Sequence, residues 1–167
     1  MNYTSAQAAK LLSRLQQEYD QLAAHEENAR TFLASVGEDV ESVRPVYSYE
    51  ETGAQLKALE AKIRKVKHAI NVFNTATVIP EFNMTIDEML VYIPQLSKKK
   101  AKLKEMANKL PKVRYNNSYA INIIDYLYVN YDLKAVNADL EAVTEELSAA
   151  QLALDAANHT ATLDIEI

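Results

Sequence analysis

One segment of the chain carries apolar residues three and four positions apart in unbroken alternation. The series lies within residues 50–74 and consists of Leu56, Leu59, Ile63, Val66, Ile70 and Phe73. This spacing keeps one face of a helix turned toward a partner helix, as in a coiled coil. A single helix cannot bury such a face alone, so the pattern predicts helix pairs.

The same spacing predicts three further long helices. The four predicted helices span about 4–36, 50–74, 85–110 and 132–158. Thr85 with Glu88 matches a capping box at the start of the third helix. Pro94 lies inside that helix, and proline removes a backbone hydrogen bond there. We therefore expect a kink near Pro94, or a break into two helices.

Two segments lose the helical period and predict strands. Residues 119–131 are rich in Ile, Val and Tyr, and residues 161–167 alternate polar with apolar side chains. We expect these two segments to pair, within the chain or between subunits. A loop with one edge strand is predicted between Gly37 and Tyr49, where Gly37 and Pro45 interrupt the helical pattern.

These elements define the predicted fold class. It is mainly α, with long antiparallel helical hairpins or a four-helix coiled-coil-like bundle, and a small β element at about 119–131 and 161–167. The 167 residues suit one domain, 1–167. No segment approaches the run of about 18 apolar residues that spans a bilayer, and the first ten residues lack a signal-peptide pattern. We expect a cytoplasmic protein.

Several kinds of chemistry are disfavoured by composition. The chain has no cysteine, which excludes disulfides and thiolate metal sites, and its only glycines, Gly37 and Gly53, cannot form a phosphate-binding loop. The histidines His25, His68 and His159 fall on separate predicted elements without metal-ligand spacing. We expect no metal, no cofactor, no identifiable small-molecule ligand and no enzymatic activity.

One enzymatic alternative stays open, because a site can be assembled between subunits from polar residues. The candidate inter-subunit polar cluster consists of Asn71, Asn74, Arg114, Tyr115, Asn158 and Thr160.

Charge is sorted between the predicted helices. The third helix carries a run of lysines, whereas the fourth is acidic. Opposite charges beside apolar faces favour particular helix pairs, although each exposed pair contributes only about 0.2–1 kcal/mol. The run is also a candidate anion-binding site for nucleic acid or an anionic membrane, and the simpler alternative is a solvated helix face. Its members are Lys98, Lys99, Lys100, Lys102 and Lys104.

Ten tyrosines are the most unusual feature of the composition, and several fall in the predicted strands. Tyrosine at an interface buries its ring while its hydroxyl stays hydrated. Together with the apolar helix faces, these strands favour a non-enzymatic structural or interaction protein that forms a homo-oligomer. The alternative is a binding module that uses the Lys98–Lys104 run on nucleic acid or membrane.

Short motifs from Ile70 onward resemble those of a known family. They are Ile70–Asn74, then Thr85 with Asp87–Leu90, then Arg114-Tyr115 with Ser118, and finally Asn158–Leu163. This layout, over about residues 50–165, resembles the septicolysin-like family of small, largely uncharacterised bacterial helical proteins. Members often have a tryptophan where this chain has His159. The resemblance implies helical hairpins with a small sheet and, through the family name, a cytolysin; it supplies no catalytic residues.

Overall fold

A computed structural model of the protein describes residues 1–115 and 124–166. Within them the long helices dominate, which confirms the mainly α fold class with a small β element. The helices are α1 (Ser5–Ala29), α2 (Val40–Val43), α3 (Tyr49–Ala76), α4 (Ile86–Ala107) and α5 (Leu133–Thr160). The strands are β1 (Asn2–Thr4), β2 (Val78–Ile79), β3 (Met84–Thr85), β4 (Lys112–Tyr115), β5 (Asp125–Tyr128) and β6 (Thr162–Asp164).

The chain divides into two compact units. The first unit contains Met1–Thr77 and Ala157–Ile167, and the second contains Val78–Ala156. Whether the chain behaves as the single domain expected from its length stays a prediction.

In the first unit, α1 packs closely along α3. The Tyr19 hydroxyl lies 3.4 Å from a carboxylate oxygen of Glu60, and the Tyr47 hydroxyl donates to Glu26 at 2.9 Å. Because later residues of α1 meet earlier residues of the α3 segment, the two helices are antiparallel. Their facing sides include the buried residues Ala8, Leu15, Val66 and Phe73.

In the second unit, α4 and α5 also run antiparallel. The Tyr92 hydroxyl near the start of α4 donates to Glu146 in the middle of α5. The Tyr131 hydroxyl, just before α5, donates to the carbonyl of Met106 near the end of α4 at 2.9 Å. The buried side chains include five that the three-and-four spacing places on the helix faces, Leu96, Leu103, Val136, Val143 and Leu147, and also Met89, which that spacing does not include. Leu90 and Leu110, which the same spacing places on the face of the third helix, are 48% and 67% exposed.

Short strand pairs precede the first helix of each unit. β1 pairs antiparallel with β6, and β2 pairs antiparallel with β3. Thr4 and Thr85 end the strands β1 and β3, and each forms a capping box with the helix that follows, with Gln7 and Glu88 respectively. The capping box predicted at Thr85 is therefore confirmed.

These elements repeat along the chain. The first helices begin 81 residues apart, at Ser5 and Ile86, and the 28-residue helices α3 and α5 begin 84 residues apart, at Tyr49 and Leu133. We call residues 2–79 the first repeat and residues 83–164 the second repeat. Burial follows the same offsets: Leu15 matches Leu96, and Val66 matches Ala150.

The last strand of each repeat pairs with the first strand of the other repeat. β2 ends the first repeat and pairs with β3 of the second, whereas β6 ends the second repeat and pairs with β1 of the first. The registers agree, because Thr4 faces Thr162 where Thr85 faces Val78, which is the same 84-residue offset. The chain thus contains two structural repeats that exchange their terminal strands.

The predicted first helix is seven residues too long. It ends at Ala29, not Val36, and Leu33 and Val36, which continue the apolar spacing, are 95% and 109% exposed. Apolar spacing extends a helix only where a partner surface covers it, and these side chains have none in the described residues. The edge strand predicted between Gly37 and Tyr49 is also wrong: a single helical turn, α2, forms there instead, and the Asp39 side chain caps it.

Two other predictions are corrected. The break considered at Pro94 is wrong, because α4 continues through this residue. The pairing of residues 119–131 with 161–167 within the chain is wrong where it is described, because β5 pairs with β4 and β6 with β1. Both partner strands are only three or four residues long, too short to give a clear sequence pattern. Residues 119–123 and 167 lie outside the described residues.

Candidate interaction surface

The connection between α4 and α5 contains a two-stranded antiparallel hairpin, β4 with β5. Lys112 faces Tyr128, Val113 faces Leu127, Arg114 faces Tyr126, and Tyr115 faces Asp125. Next to the hairpin, the Val129 amide donates to the Pro111 carbonyl at 3.2 Å. Within the described residues no other strand pairs with β4 or β5, so each has one edge without a strand partner there, which we call its open edge.

Alternation along the strands gives the hairpin two chemically different faces. One face carries Val113, Tyr115, Asp125 and Leu127, and the other carries Lys112, Arg114, Tyr126 and Tyr128. On this second face, the Lys112 ammonium lies 4.0 Å from the Tyr126 ring centre and 5.4 Å from that of Tyr128. The two tyrosine rings are tilted against each other, and their centres are 6.4 Å apart.

The eight strand residues of the hairpin expose a large apolar surface. Five large apolar or aromatic side chains in it are at least 43% exposed, with Leu127 at 61% and Tyr128 at 60%. The face that carries Val113 and Leu127 opens into an apolar groove of about 310 Å³ that is also lined by Leu110 and Tyr131. A contiguous exposed apolar patch of this kind marks an interaction surface more often than isolated exposed residues do.

The predicted lysine run lies on the last three turns of α4. Lys98, Lys99, Lys102 and Lys104 are exposed and Lys100 is half-buried. None of the five forms an ion pair within the described part of the chain, whereas Lys109 pairs with Glu105 at 3.5 Å. The run is therefore exposed to solvent, and binding of an anionic partner there stays a prediction.

The predicted polar cluster is distributed over three elements. Asn71 and Asn74 lie near the end of α3, Asn158 and Thr160 end α5, and Arg114 and Tyr115 lie in β4. The first four belong to the first unit and the last two to the second. Asn74 and Asn158 occupy equivalent positions of the two repeats, and the Asn74 carbonyl oxygen Oδ1 is buried without a hydrogen-bond partner. Assembly of the cluster between subunits stays a prediction.

Three of the perturbed ionisable groups take part in helix pairing and capping. Burial and the hydrogen bond to Glu26 raise the pKa of the Tyr47 hydroxyl, and the hydrogen bond to Glu146 raises the pKa of Tyr92. The hydrogen bonds from Thr85 lower the pKa of Glu88. These tyrosines hold the carboxylates of neighbouring segments, so their roles are structural.

Residues 1–115 and 124–166 contain no group of three or more His, Asp or Glu side chains arranged to hold a metal ion. None of the helices in this described part of the chain is both long and apolar enough to cross a membrane.

The sequence predicts the tyrosine-rich strand that contains β5 but not β4. Residues 112–118 lose the helical period, and no strand is predicted there. The alternation Lys-Val-Arg-Tyr over residues 112–115 is a strand pattern, and it could have revealed β4 as the partner of the tyrosine-rich segment.

Comparisons with known proteins identify a shared fold. No family model and no curated protein matches the chain. A crystal structure of a functionally unknown conserved protein from Corynebacterium diphtheriae is similar, with a TM-score of 0.62 and 18% sequence identity. The match covers 98% of this chain and 100% of the other. At this identity the similarity shows the fold alone, and membership of the septicolysin-like family stays a prediction.

Proposed function

We propose that this protein is a non-enzymatic structural protein that self-associates through the β4–β5 hairpin. The observation that carries the proposal is the exposed apolar and aromatic surface of this hairpin, which also has two open strand edges. Unpaired edges with apolar side chains favour pairing with another chain, and soluble proteins normally protect such edges.

The helix faces contribute little to self-association in this proposal. Their central residues, such as Leu15, Val66, Leu96 and Val143, are buried within the units. A surface that is already covered cannot bind a second copy without unfolding. Of the two surfaces predicted from the sequence, the tyrosine-rich strands are therefore the better candidate.

Light scattering coupled to size-exclusion chromatography tests this proposal at micromolar protein concentration. The wild-type protein is expected to be a dimer or a larger oligomer. The double variant Val113→Glu, Leu127→Glu places two carboxylates on the apolar face of the hairpin and is expected to shift the protein to monomer.

The matched control is Leu152→Glu, which places a carboxylate at a leucine of α5 that is 70% exposed. It is expected to keep the wild-type mass. A wild-type monomer, or a hairpin variant that remains fully oligomeric with a native circular dichroism spectrum, contradicts the proposal.

A second candidate function is the binding of anionic polymers through the lysines of α4. It is supported by the exposure of Lys98, Lys99, Lys102 and Lys104 and by their lack of ion-pair partners in the described part of the chain. Clustered lysines attract nucleic acid or anionic lipid, and the resulting binding weakens steeply with salt.

Replacing these four lysines by glutamine tests this candidate. Binding to a short labelled single-stranded DNA and to phosphatidylserine vesicles is measured at several salt concentrations. For DNA, the log–log salt slope is expected to fall in magnitude by about 0.7 for each lost phosphate contact.

The control replaces Lys57, Lys62, Lys65 and Lys67, four exposed lysines of α3, and changes the net charge equally. Equal losses in both variants indicate a net-charge effect and contradict a site on α4. Absence of binding to both ligands at low salt also rejects the candidate.

A further inference from the structure

We propose that two copies of the protein associate through the outer edge of β5 and form one continuous four-stranded antiparallel sheet, β4–β5–β5′–β4′, where primes mark the second copy. This inference rests on the proposed self-association and specifies which edge and which register carry it.

The direction of the backbone groups along β5 follows from one hydrogen bond. The Val129 amide donates to Pro111, which is directly opposite in the register of the hairpin. Hydrogen-bonded and non-hydrogen-bonded pairs alternate in an antiparallel ladder, so Leu127 and Asp125 point their backbone groups toward β4. The N–H and C=O groups of Tyr126 and Tyr128 therefore point away from β4, toward the open edge.

The outward N–H and C=O groups of Tyr126 and Tyr128 can pair with the same four groups of a second copy when a twofold axis passes between the two Leu127 residues. Antiparallel pairing then places Tyr126 of one copy opposite Tyr128 of the other, as a hydrogen-bonded pair. Leu127 faces the second Leu127 as a non-hydrogen-bonded pair. All outward groups of β5 find partners, and only residues of β5 itself are used.

Charge selects β5 over β4. The outward groups of β4 belong to Lys112 and Arg114 by the same alternation. Pairing β4 with a second β4 about Val113 places Lys112 opposite Arg114, and like charges directly opposite one another destabilise a sheet. The β5 pairing instead brings tyrosine opposite tyrosine, and cross-strand aromatic pairs stabilise a sheet.

The side-chain faces are consistent with this assembly. In the four-stranded sheet, Leu127 of each copy extends the apolar face that Val113 and Leu127 form in one hairpin. On the opposite face, the tyrosines form a row across the two central strands. Lys112 and Arg114 stay on the outer strands, separated by the width of the two central strands. A homodimer with a closed twofold interface has no further free β5 edge, and the like charges of Lys112 and Arg114 disfavour further pairing at the remaining β4 edges.

Cysteine cross-linking tests the register directly, because the wild-type chain contains no cysteine. In the proposed dimer, the two Leu127 Cα atoms are roughly 4.5 Å apart, as in other non-hydrogen-bonded pairs, which lies within disulfide range. Leu127→Cys is expected to form a covalent dimer under mild oxidation, seen by non-reducing electrophoresis.

Val113→Cys is the matched control on the same face. The two Val113 positions are separated by three strand spacings, roughly 14 Å, and are not expected to cross-link. A proline pair gives an independent test: Tyr126→Pro removes an outward N–H of β5, whereas Arg114→Pro removes one of β4. Only Tyr126→Pro is expected to raise the dimer dissociation constant, by at least tenfold.

The outcomes separate this inference from the proposed function. A monomeric wild-type protein overturns both. An oligomer in which Leu127→Cys does not cross-link, or in which Val113→Cys cross-links instead, overturns the β5 edge while self-association stands. An oligomer weakened by Arg114→Pro and not by Tyr126→Pro also overturns the β5 edge.

Discussion

The two repeats share their geometry but differ in charge order and in the connection between their helices. In the first repeat, α1 has more acidic than basic side chains and α3 has more basic ones; in the second repeat, α4 is basic and α5 is acidic. Each helix pair therefore joins opposite charges, in reversed order. Lys57 and Lys62 of α3 correspond to Glu141 and Glu146 of α5, so the equivalent helices favour different partners.

The connections differ more. The first repeat joins its helices by a segment with one short helix, α2, whereas the second joins them by the β4–β5 hairpin. A duplicated helix pair needs only some connection of sufficient length, so this segment is free to vary. The paired helices therefore act as a common scaffold, and the difference between the repeats is concentrated at their connections, where we place the proposed interaction.

Substitutions at equivalent core positions of the two repeats are expected to change the free energy of unfolding most. Ala8 and Met89 are equivalent and both fully buried, but their volumes differ greatly. Met89→Ala leaves a cavity and is expected to lower the free energy of unfolding by about 2–5 kcal/mol. Ala8→Met overpacks the close α1–α3 contact and is expected to cost about 1–3 kcal/mol.

Urea denaturation followed by circular dichroism measures both variants. Leu33→Ala, at a fully exposed position between α1 and α2, is the control and is expected to change stability by less than about 0.5 kcal/mol. If both core variants are as stable as the wild type, the two helix pairs tolerate each other's packing, and the assigned difference in their cores is wrong.

A smaller effect is expected at the two helix caps. Thr4→Ala and Thr85→Ala each remove a capping side chain, and each is expected to cost about 1 kcal/mol in the free energy of unfolding. Because both boxes contain the same two hydrogen bonds to backbone amides, the two costs are expected to be similar. Thermal or urea unfolding measures them, and a cost at only one threonine shows that the repeats are not equivalent at their first helices.

Sequence periodicity predicted the helices well, because a buried helix face repeats over many turns. The bounds 50–74 and 132–158 lie within two residues of α3 and α5. The structural repeat was missed, because equivalent positions share few identities: Ala8 matches Met89, and Thr52 matches Val136. Burial conserves apolar character and spacing, not residue identity.

Only one strand of the β4–β5 hairpin could be predicted from the sequence. The tyrosines of β5 stand out in composition, whereas β4 has four residues and its alternation is brief. Strand pairing depends on contacts distant in sequence, and β6 pairs with β1 from the opposite end of the chain. Local pattern holds no information about such partners, so the predicted pairing of the two strand segments was wrong while the segments themselves contain strands.

The two caps are also expected to differ, by a smaller amount, in how their contribution to the free energy of unfolding depends on pH. In the first repeat the Thr4 amide donates to the Gln7 side chain at 2.9 Å, and in the second the Thr85 amide donates to the Glu88 carboxylate at 2.7 Å. Of the two caps, only the second contains a carboxylate, that of Glu88, which gains a proton at low pH. The hydrogen bonds from Thr85 lower the pKa of Glu88 below its ordinary value of 4.5. Its stabilisation is therefore present above that value and is lost as the pH falls through the lowered pKa.

Glu88→Gln turns the second cap into a copy of the first. The loss of stability between neutral pH and pH values below 4.5 is expected to become shallower in this variant than in the wild type. Gln7→Glu is the reciprocal change and is expected to make it steeper. Urea unfolding at a series of pH values measures both, and the difference from wild type removes the contribution of other carboxylates. Equal pH profiles in all three proteins would show that the carboxylate of Glu88 is not held more strongly than the amide of Gln7, so the two caps would be equivalent in charge as well as in geometry.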